Sequence, residues 1–392
     1  MSNMGYYEKS LLLHAMHKGK LEITSKTPVK TGEDLLTAYL PGVTEPCLLI
    51  AQDPANARLY SIKANTVAVV SDGSAVPGLG DIGGLASLPA LEGAAVLLKE
   101  FGGLDAFPIC LDTQDVEEIV GTVKHIATGF GGIDLEDISA PRCFEIEKRL
   151  KEELDIPVFH DNQHGTAVVV SAAVINAFRL LEKPLPEVRA VICGAGAAGN
   201  AIAKMLAQLG VRDIIVCDSK GILGASRLSE FGEDKLELIE FTNKDGITGG
   251  IEKAVYGRDL FIGVSKPEVL TKELVKTMGS DPVIFALAYP EPEILPELAR
   301  QGGARVVGTG CAEFPNHIDN LLVSPGMFRG ALDAGAKEIT VEMMAAAAYA
   351  LAGLVADEEL SEEYILPAAF SEGVTEAVAK AVSKTWLDLK DK

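Results

Sequence analysis

Residues 189–218 read RAVICGAGAAGNAIAKMLAQLGVRDIIVCD. Arg189–Cys193 is a short β-branched run, the pattern of a buried parallel strand. Gly194, Gly196 and Gly199 follow at G-x-G-x-x-G spacing, Ala201–Leu209 takes helical periodicity, and Asp213–Cys217 is a second strand ending in Asp218. In a dinucleotide site each glycine has its own task. The first makes the tight turn, the second lets the backbone approach a pyrophosphate, and the third lets helix pack on strand. The run Gly194-Ala195-Gly196-Ala197-Ala198-Gly199 then presents free N–H groups and the positive end of a helix to the anion. Asp218, followed by Ser219, comes about twenty residues after Gly194, where an acid grips a ribose 2′-hydroxyl. Strand, helix, second strand and terminal acid stand in register, which favours a cofactor site over a bare tight turn. An acid at that strand end repels a 2′-phosphate and so points to NAD. Lys220 and Arg227, just beyond it, can offset the repulsion, so NADP stays open.

Around this unit the chain runs to 392 residues, room for two or three domains. Hydrophobic residues make up 48% and glycines number 39, as in a packed α/β enzyme rather than a disordered chain. The net charge of −21 argues against nucleic-acid binding, which needs a basic face, and no polybasic run suggests an anionic membrane surface. The six cysteines lie far apart with no C-x-x-C pair, and Cys193 and Cys217 fall in core strands; they read as reduced thiols rather than disulfides or zinc ligands. The N-terminus mixes acids and bases around a very short apolar run, unlike a signal peptide. The longest apolar stretch, MMAAAAYALAGLVA from Met343, is too short to span a bilayer. The expectation is a cytoplasmic protein.

Strand and helix patterns alternate along the chain as a doubly wound α/β fold requires. Residues 5–20 have helical spacing, residues 19–35 read as an extended connector, and Glu33–Ala38 is a short helix before the Tyr39-Leu40-Pro41-Gly42 turn. Thr66–Ser71 is a strand entering the glycine-rich loop Asp72–Gly84, followed by a helix at Leu91–Phe101 and a strand at Ala106–Leu111. Asp134-Leu-Glu136-Asp137 precedes a helix at Cys143–Leu154. Pro157–His160 is a strand that empties into Asp161-Asn162-Gln163-His164, and the apolar helix Ala167–Phe178 comes next. Acidic clusters at two strand ends suit a divalent cation, which takes hard oxygen ligands; equally, they suit helix capping. Periodicity alone leaves both open. Residues 251–265 give a helix and then a strand, DLFIGV (Asp259–Val264); further strands follow at Pro282–Ala288 and Arg305–Thr309, then a loop at Pro315–Phe328 and helices at Thr340–Ala356 and Glu372–Leu387.

With these residues laid out, the chain resembles a malic enzyme of the short bacterial type over roughly Leu35–Lys384. The carriers are AYLPGVTEPC from Ala38, VAVVSDGSAVPGLGDIGGLASLP from Val67, FGGIDLEDISAPRCFEIE from Phe130, IPVFHDNQHGTA from Ile156, the glycine fingerprint, and SPGMFRGALD, Ser324–Asp333. The resemblance implies an N-terminal α/β malic-enzyme domain over 1–160, a Rossmann-type NAD(P)-binding domain over 161–330, and C-terminal helices over 331–392. It also implies a homodimer. Tyr39 would be the general acid that protonates the enolpyruvate carbon. Glu136 and Asp137, with the position of Asn162, would hold Mg²⁺ or Mn²⁺, a Lewis acid for the C2 oxygen of malate. Tyr289 and Asn320 fall where the family contacts cofactor or substrate.

Four positions depart from the family pattern. Ala94 stands where EGKxVL carries the base lysine, and Lys99, about 140° further round the helix, points elsewhere. Asn162 replaces the third carboxylate of HDDQHGTA, while Asp161, the usual partner of the lysine, is retained. Tyr289 and Asp319 replace asparagines. The reading is oxidative decarboxylation of malate to pyruvate and CO₂ with NAD(P), impaired by Ala94, or using Asp161 or water as base. Two alternatives stand beside it: a family member retuned to another 2-hydroxyacid or 2-oxoacid, and a catalytically inactive nucleotide-binding homologue.

Overall fold

The structure, a computed structural model, describes residues 5–391. β1 (Thr66–Ser71), β2 (Asp105–Cys110), β3 (Gly132–Leu135) and β4 (Val158–His160) form a parallel sheet in the order β2-β1-β3-β4. β5 (Arg189–Cys193), β6 (Asp213–Asp218), β7 (Gly221–Ile222), β8 (Leu260–Gly263), β9 (Val283–Ala286) and β10 (Val306–Thr309) form a second sheet in the order β10-β9-β8-β5-β6-β7. It is parallel except for β7. Runs such as TVAVVS are buried along their whole length because helices cover both faces.

Strand order places the crevices. In the second sheet the chain steps from β5 to β6 on one side and returns as β8 on the other, so a cleft opens beyond the carboxyl ends of β5 and β8. The first sheet does the same at β1 and β3, with β2 on the far side of β1 and β4 beyond β3. The two crevices carry the glycine fingerprint and the acidic cluster, respectively.

Several helices differ from the pattern read in sequence. The helix after β4 spans Asp161–Leu180, so Asp161 and Asn162 occupy its first turn and not a loop. It is buried on nearly all sides and packs against both Ala197–Gln208 and Val341–Ala352. The fingerprint helix begins at Ala197, capped by Gly196, four residues earlier than its periodicity suggests. Another helix runs from Gly84 to Gly102, so the glycine-rich loop ends sooner. Ser324–Phe328, the end of the stretch read as a loop for its Asn, Pro and Gly, belongs instead to a helix, Ser324–Asp333. Pro325 sits in the first turn, where its missing N–H costs nothing. Gly326 is there because Val378 of the Val374–Lys390 helix packs on it: a Cβ at 326 would stand 2.6 Å from Val378 Cβ.

The stretch from residue 5 to residue 65 has no buried residue. Its helices, Tyr6–His17, Gly32–Ala38 and Thr44–Gln52, leave Tyr6, Leu11, Met16, Leu36 and Leu48 exposed. Among the described residues no helix is long and apolar enough to cross a membrane, and all six cysteines are free thiols.

Candidate active site

Glu136 and Asp137 follow β3 directly, and Asp161 and Asn162 follow β4, so neighbouring strand ends bring the two acidic clusters together. With Asp134 they line one cavity of about 250 Å³, roofed by Ala94, Leu91 and Leu97 of the Gly84–Gly102 helix. Among the described residues no lysine, arginine, histidine or tyrosine lines it. Burial raises all four carboxyls, and neighbouring charges add to it: Asp161 and Asp137 act on Asp134 and Glu136, Asp72 acts on Asp137, and Asp319 and Asp137 act on Asp161. Asp134 and Glu136 lie well above the usual carboxylate range, Asp161 reaches about 7 and Asp137 about 6. Asp161 accepts hydrogen bonds from the Ser324 hydroxyl and the Asn320 amide. Asp134 has one carboxylate oxygen, Oδ1, that is buried without a partner.

Buried acids with no counter-charge and an orphaned oxygen are the chemistry of a hard divalent cation site. The carboxylates face the cavity without converging, and among the described residues no three acidic, histidine or cysteine side chains form a ready cage.

A cleft of about 1650 Å³ lies beside the fingerprint, lined by Gly194, Ala195, Gly196, Asp218 and Ser219. Gly194 has φ +120°, a conformation that only glycine adopts readily, and it turns the chain from β5 into the helix. Ala197, Ala198 and Gly199 form the helix's first turn beneath the cleft. A side chain at 199 would drive into the Gly194 carbonyl. Arg227 grips Asp218 with two hydrogen bonds of 3.0 and 2.9 Å, and Lys235 Nζ joins at 3.2 Å. Burial opposes the Asp218 charge, but these donors and the Lys220 N–H hold it at about 2. Lys220 Nζ turns to Glu230 instead. Glu147 and His164 border the same cleft and are joined at 2.8 Å, tying the Arg142–Glu153 helix to the Asp161–Leu180 helix.

Other expected residues lie elsewhere. Tyr39 is 63% exposed and lines neither cavity. Asn320 belongs to the carboxylate cavity, not to the cofactor cleft. Tyr289 packs its ring on the glycine-rich loop, 3.1 Å from where a Gly78 Cβ would be. Asp319 turns its carboxylate to the Leu321 N–H and to His317, outside the cavity lining. Lys99 pairs with Asp105 at 2.7 Å, away from position 94. Sequence reading missed Ser324, Lys235 and the inward face of Asp134. For Asp134 the signal was there: it stands in the strand two residues before Glu136.

Residues 18–151 match the malic enzyme N-terminal domain, and residues 163–386 match the malic enzyme NAD-binding domain. The chain belongs to the malic enzyme family. A bifunctional malic/malolactic enzyme of Bacillus subtilis is 52% identical over 385 residues, spanning 98% of this chain and 94% of the relative. An NAD-dependent malic enzyme of Geobacillus stearothermophilus is 53% identical, spanning 96% and 78%. Among solved structures, an NAD-dependent malic enzyme from Thermotoga maritima shares 46% identity at a TM-score of 0.92, covering 95% of this chain and 98% of that one. The Pyrococcus horikoshii malic enzyme reaches 0.94 at 43% identity, covering 98% and 92%. The malic enzyme architecture, parallel α/β sheets with a Rossmann-type nucleotide domain, is therefore shared along nearly the whole chain.

Proposed function

We propose that this chain oxidises and decarboxylates malate to pyruvate and CO₂ with a nicotinamide nucleotide and a divalent cation. The observation that carries the reading is the carboxylate-lined cavity, built by the same two strand ends that match the family. When bound, the cation supplies Lewis-acid stabilisation of the substrate oxygen on which negative charge develops, and the nicotinamide takes the hydride. Glu136 and Asp137 would hold that ion. With Ala94 in the roof, Asp161, raised to about 7 and oriented by Ser324 and Asn320, is the group in the cavity suited to take the C2 hydroxyl proton. Tyr39 is the proton donor to the enol carbon in this reading. Association of two copies through the exposed apolar arm would fix the Tyr39 segment, and the homodimer is the unit proposed here. Leu11→Glu with Met16→Glu should shift the sedimentation coefficient to that of a monomer.

Asp218 favours an unphosphorylated ribose, but Arg227 and Lys235 cancel its charge, so NAD is the proposed nucleotide and NADP is admitted. The test is NAD(P)H formation with L-malate and Mn²⁺, for this chain and Ala94→Lys side by side. Restoring the base should raise kcat by on the order of 10²–10⁴. A second reading, turnover of a less acidic 2-hydroxyacid, is favoured by the absence of any cationic side chain in the cavity lining. If neither protein oxidises malate while a monocarboxylic 2-hydroxyacid is turned over, that reading replaces the first.

A further inference from the structure

The third carboxylate expected beside Glu136 and Asp137 is an amide in this chain, Asn162, and the structure commits that amide elsewhere. Its Oδ1 accepts the Asp137 backbone N–H at 2.8 Å, and its Nδ2 donates to Asp137 Oδ1 at 3.2 Å. A side chain bonded twice to its neighbour holds that neighbour in place and has its single oxygen already engaged.

A different carboxylate stands ready. Asp134 lies on β3 opposite Val69 of β1 and Phe159 of β4. Two residues further along come Glu136, just past the end of β3, and Asp161, in the first turn of the helix that follows β4, and all three line one cavity. The opposite face carries Ile133, Leu135 and Val158, packed in a separate apolar cluster. Asp134 is 1% exposed, lines the same cavity as Glu136, Asp137 and Asp161, and its Oδ1 has no hydrogen-bond partner. An unpaired carboxylate oxygen among leucines is costly unless something else satisfies it. Among the described residues no lysine or arginine lines the cavity to do so.

We propose that Asp134 takes the place of Asn162 as the third carboxylate that holds the divalent cation, with Asn162 acting only to position Asp137. The charge count of the site is thereby kept, with one acid moved from the helix to the adjoining strand. This rests on the reading that a cation works in this cavity.

The test is Mn²⁺ binding to the full chain by isothermal titration calorimetry, alongside thermal melting with and without Mn²⁺. Asp134→Asn should weaken Mn²⁺ by at least about tenfold, the loss that even an outer partner of a ligand costs. In chelator the same variant should melt higher than the parent, because it removes a buried unpaired acid, while its gain in melting temperature on adding Mn²⁺ shrinks. Moving the acid back, Asp134→Asn with Asn162→Asp, should restore binding. If Asp134→Asn binds Mn²⁺ like the parent while Glu136→Gln does not, the cation is in the cavity without Asp134, and the proposal falls. If the parent and Glu136→Gln bind Mn²⁺ equally, the reading of the cavity itself fails and the proposal with it.

Discussion

Asn162 and Asp137 are bound to each other twice, backbone N–H to Oδ1 at 2.8 Å and Nδ2 to carboxylate at 3.2 Å, across the join between two strand ends. Asp137 has φ +54°, a left-handed backbone that a non-glycine residue holds only when its surroundings demand it. The Asn162 bonds are part of that demand. Asn162→Ala leaves the buried Asp137 N–H without an acceptor and should cost about 1–3 kcal/mol of stability, read from chemical denaturation midpoints. An unchanged midpoint would mean that the turn is held by other contacts.

Asp218 is the centre of a cationic cluster as well as the expected ribose acid. Asp218→Ala removes the ribose contact and frees Arg227 and Lys235 together. Affinity for NAD should fall while that for NADP holds or improves, so the ratio of the two kcat/KM values moves toward NADP. A ratio that stays put would show that Asp218 does not face the ribose.

The buried acids set a pH dependence. Asp161 at about 7 and Asp137 at about 6 stand above the roughly 4 of the unfolded chain. Folded protein therefore holds protons that unfolded chain has lost. The stability these groups permit is full below about pH 4 and is lost as pH rises through 6 and 7. In EDTA the melting temperature should decline between about pH 5 and about pH 7.5, and Asp161→Asn should flatten that slope. Saturating Mn²⁺ should oppose the decline by supplying the missing positive charge. A melting temperature that rises across this window in EDTA would count against the buried, uncompensated cluster.

Gly326 lets the Ser324–Asp333 helix lie directly on the Val374–Lys390 helix, with 2.6 Å from the would-be Cβ to Val378 Cβ. Gly326→Ala must push the two helices apart or force Val378 off its rotamer, and overpacking of this kind costs typically about 1–3 kcal/mol. Val378→Ala in the same background should recover part of the loss, a coupling that a double-mutant cycle would measure. Strict additivity would place the strain elsewhere.

The nucleotide unit was legible in the residues because its signals are local. A β-branched run, three glycines at fixed spacing and a terminal acid each act over a few residues, and β5, the glycine turn and β6 lie where those signals put them. The acidic pairs at strand ends were visible for the same reason, and so were the departures at Ala94 and Asn162. Helix starts were less legible: Asp161 and Asn162 look like a polar loop, yet tertiary burial of the apolar helix behind them carries its first turn back to the strand. The helix at Ser324–Asp333 was hidden because its glycines answer to the Val374–Lys390 helix, some fifty residues away, Gly326 to Val378 and Gly330 to Ala379 and Val382, and not to neighbours in the chain. What tertiary structure alone decided is which oxygen goes where. The pairing of β3 with β4 brings Asp134, Glu136 and Asp161 to one cavity, and the Asp137 turn consumes the Asn162 carbonyl. Those are distances between segments remote in sequence, and no local pattern encodes them.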